Sequence, residues 1–188
     1  DYWGFDINGY KNIRLGLRGE FQIENAAIAV KAIDALKNRC DIKIKSNNIR
    51  GGLKNAEWPG RLQLIGKNIL VDCAHNPHGF KILADELKNL NYKNLILVVG
   101  FSNDKDIKGI CEELGPMSDE IILTKANLPR AAEPMAIKNY IQKEARITNS
   151  IEEAINMAEA MAGETDLILI TGSLFVVGEV LANRSAKE

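Results

Sequence analysis

Four short runs of almost unbroken apolar residues constrain this chain more than any other feature of its sequence. They are residues 68–72 (NILVD), 94–100 (NLILVVG), 120–124 (EIILT) and 166–171 (DLILIT). Runs of this length suit strands buried on both faces of a parallel sheet. Parallel strands need crossover connections, and the intervening segments carry helical spacing with readable ends. Asn76-Pro77 places a cap and an N1 proline before Phe80, Leu83, Ala84, Leu87 and Leu90. Asp104 is placed to cap a helix carrying Ile107, Ile110, Cys111 and Leu114, which ends at Gly115-Pro116. Ser150 and Glu153 form a capping-box pattern before Ile151, Ala154, Ile155 and Ala158. Residues 146–148 read as a further short strand, and residues 62–65 as an antiparallel partner of the first apolar run. The fold class is therefore α/β: a Rossmann-like, doubly wound, mostly parallel sheet of about six strands with helices on both faces.

The first third of the chain reads differently. Tyr2, Phe5, Ile7, Ile13, Leu15 and Leu17 alternate around Asn8-Gly9, a hairpin signature. Ile23, Ala26, Ala27, Val30, Ile33 and Leu36 then predict a helix over 22–38, with a shorter one over 47–53. Trp58-Pro59-Gly60 breaks the pattern and marks a boundary, giving domains 1–58 and 59–188.

Basic and acidic residues nearly balance, 24 against 25, which gives no electrostatic case for a nucleic-acid partner. Three widely spaced cysteines, Cys40, Cys73 and Cys111, make neither a disulfide framework nor a thiolate metal site and fit a reducing cytoplasm. No apolar run approaches the roughly 20 residues that span a bilayer, so no membrane partner is expected. The chain starts at Asp1 inside a strand-rich stretch, so it reads as a piece of a longer protein.

In open parallel sheets, ligands bind beyond the carboxyl ends of the strands. There the sequence collects its polar residues: 72–77 after the first run, 100–106 after the second, 124–130 after the third and Thr171-Gly172-Ser173 after the fourth. A binding cleft follows from that convergence. Singly, each residue has a plainer reading: Asp72 as a turn residue, Asp104 to Asp106 as a solvated cap, Ser173 as a turn into a helix. His75 and His78 have no Cys or further His beside them, so no metal site is expected in this chain. No Gly-x4-Gly-Lys-Ser/Thr phosphate loop and no Gly-x-Gly-x-x-Gly occurs, so the chain alone lacks the usual grip on a triphosphate.

Specific segments carry a family resemblance. Residues 17–27 (LRGEFQIENAA) resemble the segment that closes the central ATPase domain of Mur-type ligases. Pro59-Gly60-Arg61, followed by residues 71–78 (VDCAHNPH), is similar to the "P-G-R... D-x-A-H-N-P" signature of the folylpolyglutamate synthase and dihydrofolate synthase family. Residues 100–106 and 171–174 resemble two later motifs of that family. Phe21 stands where many relatives have His, and Cys73 where many have Gly.

The resemblance implies an ATP-dependent amide ligase. ATP phosphorylates a pteroate or folate carboxylate, and the amino group of L-glutamate attacks the acyl phosphate. In this reading residues 1–58 end the ATPase domain, and 59–188 form the glutamate ligase domain that closes over it. The implied cofactors are ATP and Mg2+, with the phosphate loop and most metal ligands upstream in the same chain. Carried over by position, Asn25, Arg61 and Asp72 contact ATP, while His75 and Ser173 lie near glutamate or the reacting phosphate, with Lys105 as a further glutamate ligand. A monomeric cytoplasmic enzyme is expected. Two other readings stay open at this point: another Mur-superfamily amino-acid ligase, and a non-catalytic nucleotide or amino-acid binding module.

Overall fold

The computed structural model describes residues 4–7, 9–40 and 43–185. They fall into two compact units, Asp1–Arg61 and Leu62–Glu188. In the first, β1 (Gly4–Ile7) and β2 (Tyr10–Arg14) pair antiparallel, with Phe5 opposite Ile13 and Ile7 opposite Tyr10. Gly9 takes the left-handed conformation of the turn, at φ +85°. Tyr2 and Asn8, which the hairpin reading includes, lie outside the described residues. Two helices follow, α1 (Phe21–Cys40) and α2 (Ser46–Lys54), slightly longer than their spacing predicts. Ile7, Ile13, Leu15, Ala26, Val30 and Ile49 form this unit's core. Gly16 donates to the Leu53 carbonyl at 2.9 Å, and a Cβ there would lie 2.4 Å from the Lys54 carbonyl oxygen, so only glycine fits. The unit ends in a turn in which Arg61 N–H donates to the Trp58 carbonyl at 3.2 Å. Pro59 supplies the preset φ, and Gly60, at φ +75°, the left-handed third position of a type II turn.

The second unit holds a six-stranded sheet of β3 (Gln63–Ile65), β4 (Ile69–Val71), β5 (Leu95–Val99), β6 (Glu120–Leu123), β7 (Arg146–Ile147) and β8 (Leu167–Thr171). Its spatial order is β3-β4-β8-β5-β6-β7. Only β3 and β4 are antiparallel; the other neighbours are parallel. All four long apolar runs and the antiparallel partner form strands as their composition predicts. What periodicity does not give is the order, because the chain steps outward from β5 to β7 and then returns to insert β8 between β4 and β5.

Five helices connect the strands: α3 (Pro77–Leu87), α4 (Ile107–Leu114), α5 (Pro134–Lys138), α6 (Ile151–Met161) and α7 (Leu174–Ser185). Ile96, Val98, Ile168 and Ile170 pack with Ala154, Ile155 and Ala158 of α6 and with Val177 and Val180 of α7. The alternate strand residues Leu95, Leu97 and Val99 point to the other face. There Phe80 of α3 meets Phe101 at a ring separation of 6.0 Å, and α4 packs on α3. Truncating one such fully buried leucine, Leu87 for example, costs about 2–5 kcal/mol.

Two capping expectations change. Asp104 does not cap α4: Gly109 N–H donates to Asp106 Oδ1 at 3.1 Å, since Asp106 directly precedes the helix and is three residues from that donor. Asp104 instead pairs with Lys105 at 3.0 Å. At α6 the Ser150 hydroxyl accepts Glu153 N–H at 3.2 Å, but the Glu153 carboxylate accepts from Asn149 N–H at 3.0 Å rather than from Ser150 itself. Among the described residues no helix is long and apolar enough to cross a membrane.

Candidate functional site at the carboxyl edge of the sheet

Because β4, β8, β5 and β6 run parallel and adjacent, the loops that follow them open at one end of the sheet. Asp72, the first residue after β4, is 5% exposed. Its Oδ1 accepts Ala74 N–H at 2.8 Å and its Oδ2 accepts Leu62 N–H at 3.0 Å. Leu62 has φ +43°, a left-handed conformation that costs a branched residue about 1–3 kcal/mol. The carboxylate therefore pins a strained residue immediately after Arg61.

His75 is half-buried in the same loop, and its Nδ1 lies 2.9 Å from the Cys73 carbonyl oxygen. A carbonyl only accepts, so Nδ1 carries the proton and, in the neutral ring, Nε2 carries the lone pair. Asn76 caps α3 by accepting Gly79 N–H at 2.8 Å, which fixes where the loop ends.

Ser173 follows β8 and caps α7: its Oγ accepts Phe175 N–H at 3.1 Å, and its carbonyl accepts Val177 N–H. The hydroxyl proton is left to donate elsewhere. Ser173 reaches this position through Gly172, at φ +105°, where a Cβ would sit 2.5 Å from the Gly100 carbonyl oxygen. Gly100 is equally restricted, since its Cβ would lie 2.6 Å from the Thr124 carbonyl oxygen. These two glycines let the strand ends of β8, β5 and β6 close up at the site. Between them the buried hydroxyls of Thr124 and Thr171 have no hydrogen-bond partner among the described residues.

Lys105, after β5, is held by Asp104. That hydrogen bond, together with backbone bonding and the positive charges of Lys105 and Arg130, keeps the exposed Asp104 carboxyl below its usual range. The structure thus brings Asp72, His75, Lys105 and Ser173 to one end of one sheet. Asn25 and Arg61 belong to the first unit, where both are exposed and the Asn25 amide donates to Gln22 Oε1 at 2.9 Å.

One element of the edge has no individual role in the sequence reading. Arg130, on the loop after β6, stacks its guanidinium 4.2 Å from the Phe175 ring centre at the start of α7. Asn127 N–H on the same loop donates to Glu179 of α7 at 3.1 Å, and Lys125 pairs with Glu133 at 2.9 Å. The polar run 124–130 marks this loop in sequence, but a contact with α7 some 45 residues later has no local signal. A cavity of about 490 Å³ lined by Cys111, Pro116, Tyr140 and Lys143 lies ahead of β6 and β7, at the opposite end. Lys143 is committed there to the Ser118 carbonyl at 2.6 Å.

Residues 60–174 match the family model described as Mur ligase, glutamate ligase domain. The chain belongs to the Mur ligase glutamate ligase domain family. It is 32% identical over 174 residues to a probable bifunctional folylpolyglutamate synthase/dihydropteroate synthase of Haloferax volcanii, covering 89% of this chain and 20% of that protein. It is 29% identical over 180 residues to dihydrofolate synthase/folylpolyglutamate synthase of Bacillus subtilis, covering 91% and 41%. Among solved structures, E. coli FolC in complex with ADP, without folate substrate, superposes with a TM-score of 0.85 at 27% identity, covering 99% of this chain and 46% of that one. A bifunctional folylpolyglutamate synthase/dihydrofolate synthase with Mn, AMPPNP and L-glutamate bound gives 0.79 at 27% identity, covering 93% and 42%. This Mur ligase domain chain therefore spans less than half the length of these relatives.

Proposed function

We propose that this chain is the C-terminal part of an ATP-dependent ligase that joins L-glutamate to a folate or pteroate carboxylate through an acyl phosphate. The observation that carries the reading is the polar carboxyl edge of an otherwise apolar sheet, in a domain whose family is named for glutamate ligation. Residues 1–58 then end the ATPase domain that the rest of the same chain supplies, and the enzyme works as a cytoplasmic monomer.

Residue types in each unit suit a nucleotide. Asp72 offers a carboxylate, an acceptor suited to ribose hydroxyls, and Arg61 offers a planar fork of donors for phosphate oxygens. Asn25 adds an exposed amide. ATP supplies the phosphoryl group that activates the acceptor carboxylate, with Mg2+ neutralising its charge. The ion's protein ligands belong mostly to the ATPase domain of the full-length enzyme. Ser173 and Lys105 hold the glutamate carboxylates, since a hydroxyl donor and an ammonium suit them, and His75 stands beside the reacting groups.

The experiment is turnover of the full-length protein with ATP, Mg2+, L-glutamate and either dihydropteroate or tetrahydrofolate. Glutamate-dependent ADP release with a lengthened folate supports the reading; release with a different amino acid and acceptor points to another Mur-type ligase. Residues 1–188 alone, without a phosphate loop in their sequence, should turn over no ATP.

A further inference from the structure

Two of the groups proposed to hold glutamate, Lys105 and Ser173, stand on different elements, the loop after β5 and the start of α7. Donors on separate elements serve one substrate well only when their spacing is held to within about 0.5 Å. We infer that Arg130 is a positioning residue that fixes this spacing, by bridging the Lys105 loop to the first turn of α7. This rests on the ligase reading above and goes further by naming what keeps the two ligands in register.

Arg130 meets the Lys105 loop through its main chain. Its carbonyl accepts Asn103 N–H at 3.0 Å, Ala131 forms an antiparallel bridge with Ser102, and Ala132 N–H donates to the Phe101 carbonyl at 2.8 Å. Residues 130–132 therefore run beside 101–103, and Lys105 is tied to the same stretch by its own N–H, which donates to the Ser102 carbonyl at 3.2 Å. The Arg130 side chain reaches α7. Its guanidinium lies 4.2 Å from the Phe175 ring centre, and Phe175 N–H is the donor that fixes Ser173 Oγ, at 3.1 Å. Asn127, earlier on the same loop, adds a second tie through its N–H to Glu179, one turn further along α7.

Packing on the sheet does not supply this register by itself. Val176 and Val177 are buried and seat α7 on the strands, whereas Leu174 and Phe175, on the outer side of the same turn, are 57% and 38% exposed. On that outer side Phe175 carries the Arg130 guanidinium. A planar cation lying over a ring face fixes orientation as well as distance, so the contact holds the loop and the helix turn as one piece. The same charge bears on the partner of Lys105. The Asp104 carboxyl is held below its usual range first by its hydrogen bond to Lys105 and in smaller part by the Arg130 charge.

Phe175 separates positioning from direct contact, because it touches Arg130 and its side chain has no donor for a carboxylate. In the full-length ligase, Arg130→Ala and Phe175→Leu should each raise the glutamate KM about 3- to 30-fold, the range set by the strength of a cation–π contact, and leave the ATP KM unchanged. The double variant should be no worse than the worse single one, since both changes remove the same contact. Phe175→Tyr keeps the ring face and should restore a wild-type glutamate KM. A raised glutamate KM in Arg130→Ala with none in Phe175→Leu would overturn the inference in favour of a direct bond from Arg130 to the substrate. An unchanged glutamate KM in both would overturn it outright. A fall in kcat together with a lowered denaturation midpoint, and no selective effect on glutamate, would reduce the contact to ordinary fold stability. A wild-type enzyme that makes no glutamate amide would remove the ligase reading, and this inference with it.

Discussion

The N–H of Asp72 donates to the carbonyl of Ile170 at 3.1 Å, so the loop after β4 leaves the sheet beside the Thr171-Gly172-Ser173 segment that follows β8. Residues about 100 positions apart in sequence thereby open on the same edge. The proposed division of labour across that edge predicts opposite kinetic preferences. In the full-length enzyme, Ser173→Gly should raise the glutamate KM far more than the ATP KM, and Asp72→Ala the reverse. Glycine is the informative replacement for Ser173, because at an N-cap it costs only about a few tenths of a kcal/mol in stability. A denaturation midpoint near wild type with an unchanged glutamate KM would leave Ser173 as a helix cap alone.

Asp72 has a second consequence, for stability. Removing its carboxylate strips the acceptor from the Leu62 and Ala74 N–H groups, and an unsatisfied buried donor costs about 1–3 kcal/mol. Asp72→Ala should therefore unfold at lower denaturant than Asp72→Asn, which retains one acceptor oxygen. Equal midpoints for the two would show that Leu62 is held by something else.

Arg61 is assigned to the phosphates. Removing a single charge-stabilising donor typically lowers kcat about 10²- to 10³-fold. Arg61→Ala in the full-length enzyme should show that loss, and unchanged kcat and ATP KM would rule the role out.

Gly172 is where the site's architecture is most easily broken. At φ +105°, with a Cβ forced to 2.5 Å from the Gly100 carbonyl and 2.9 Å from Phe101, Gly172→Ala should destabilise by about 1–3 kcal/mol. Chemical denaturation measures this, and a change within error would mean that the strand ends of β8 and β5 separate readily.

The strands and most helices of this fold are legible because they depend on local patterning. The five residues of α5 make little more than one turn, too short for a 3.6-residue period to emerge. Asp104 and Asp106 are the same residue type two positions apart, and only backbone geometry selects Asp106 as the α4 cap. Asp72, His75, Lys105 and Ser173 stand out because each ends or follows a strand. The features that refine the site are non-local. The strained Leu62 is held by Asp72 across the β3–β4 hairpin, while the close approach of Gly172 to Gly100 and Arg130 over Phe175 depend on the insertion of β8 between β4 and β5, which no stretch of sequence announces.

Isotope transfer distinguishes ligation of glutamate through an acyl phosphate from other routes to the amide. The acceptor folate or pteroate is labelled with oxygen-18 in its carboxylate and incubated with the full-length protein, ATP, Mg2+ and L-glutamate. One labelled oxygen is expected in inorganic phosphate for each amide formed, because the carboxylate oxygen attacks phosphorus and leaves with it. Amide formation with no label in phosphate, or ATP cleavage to AMP with the label there, would contradict that route.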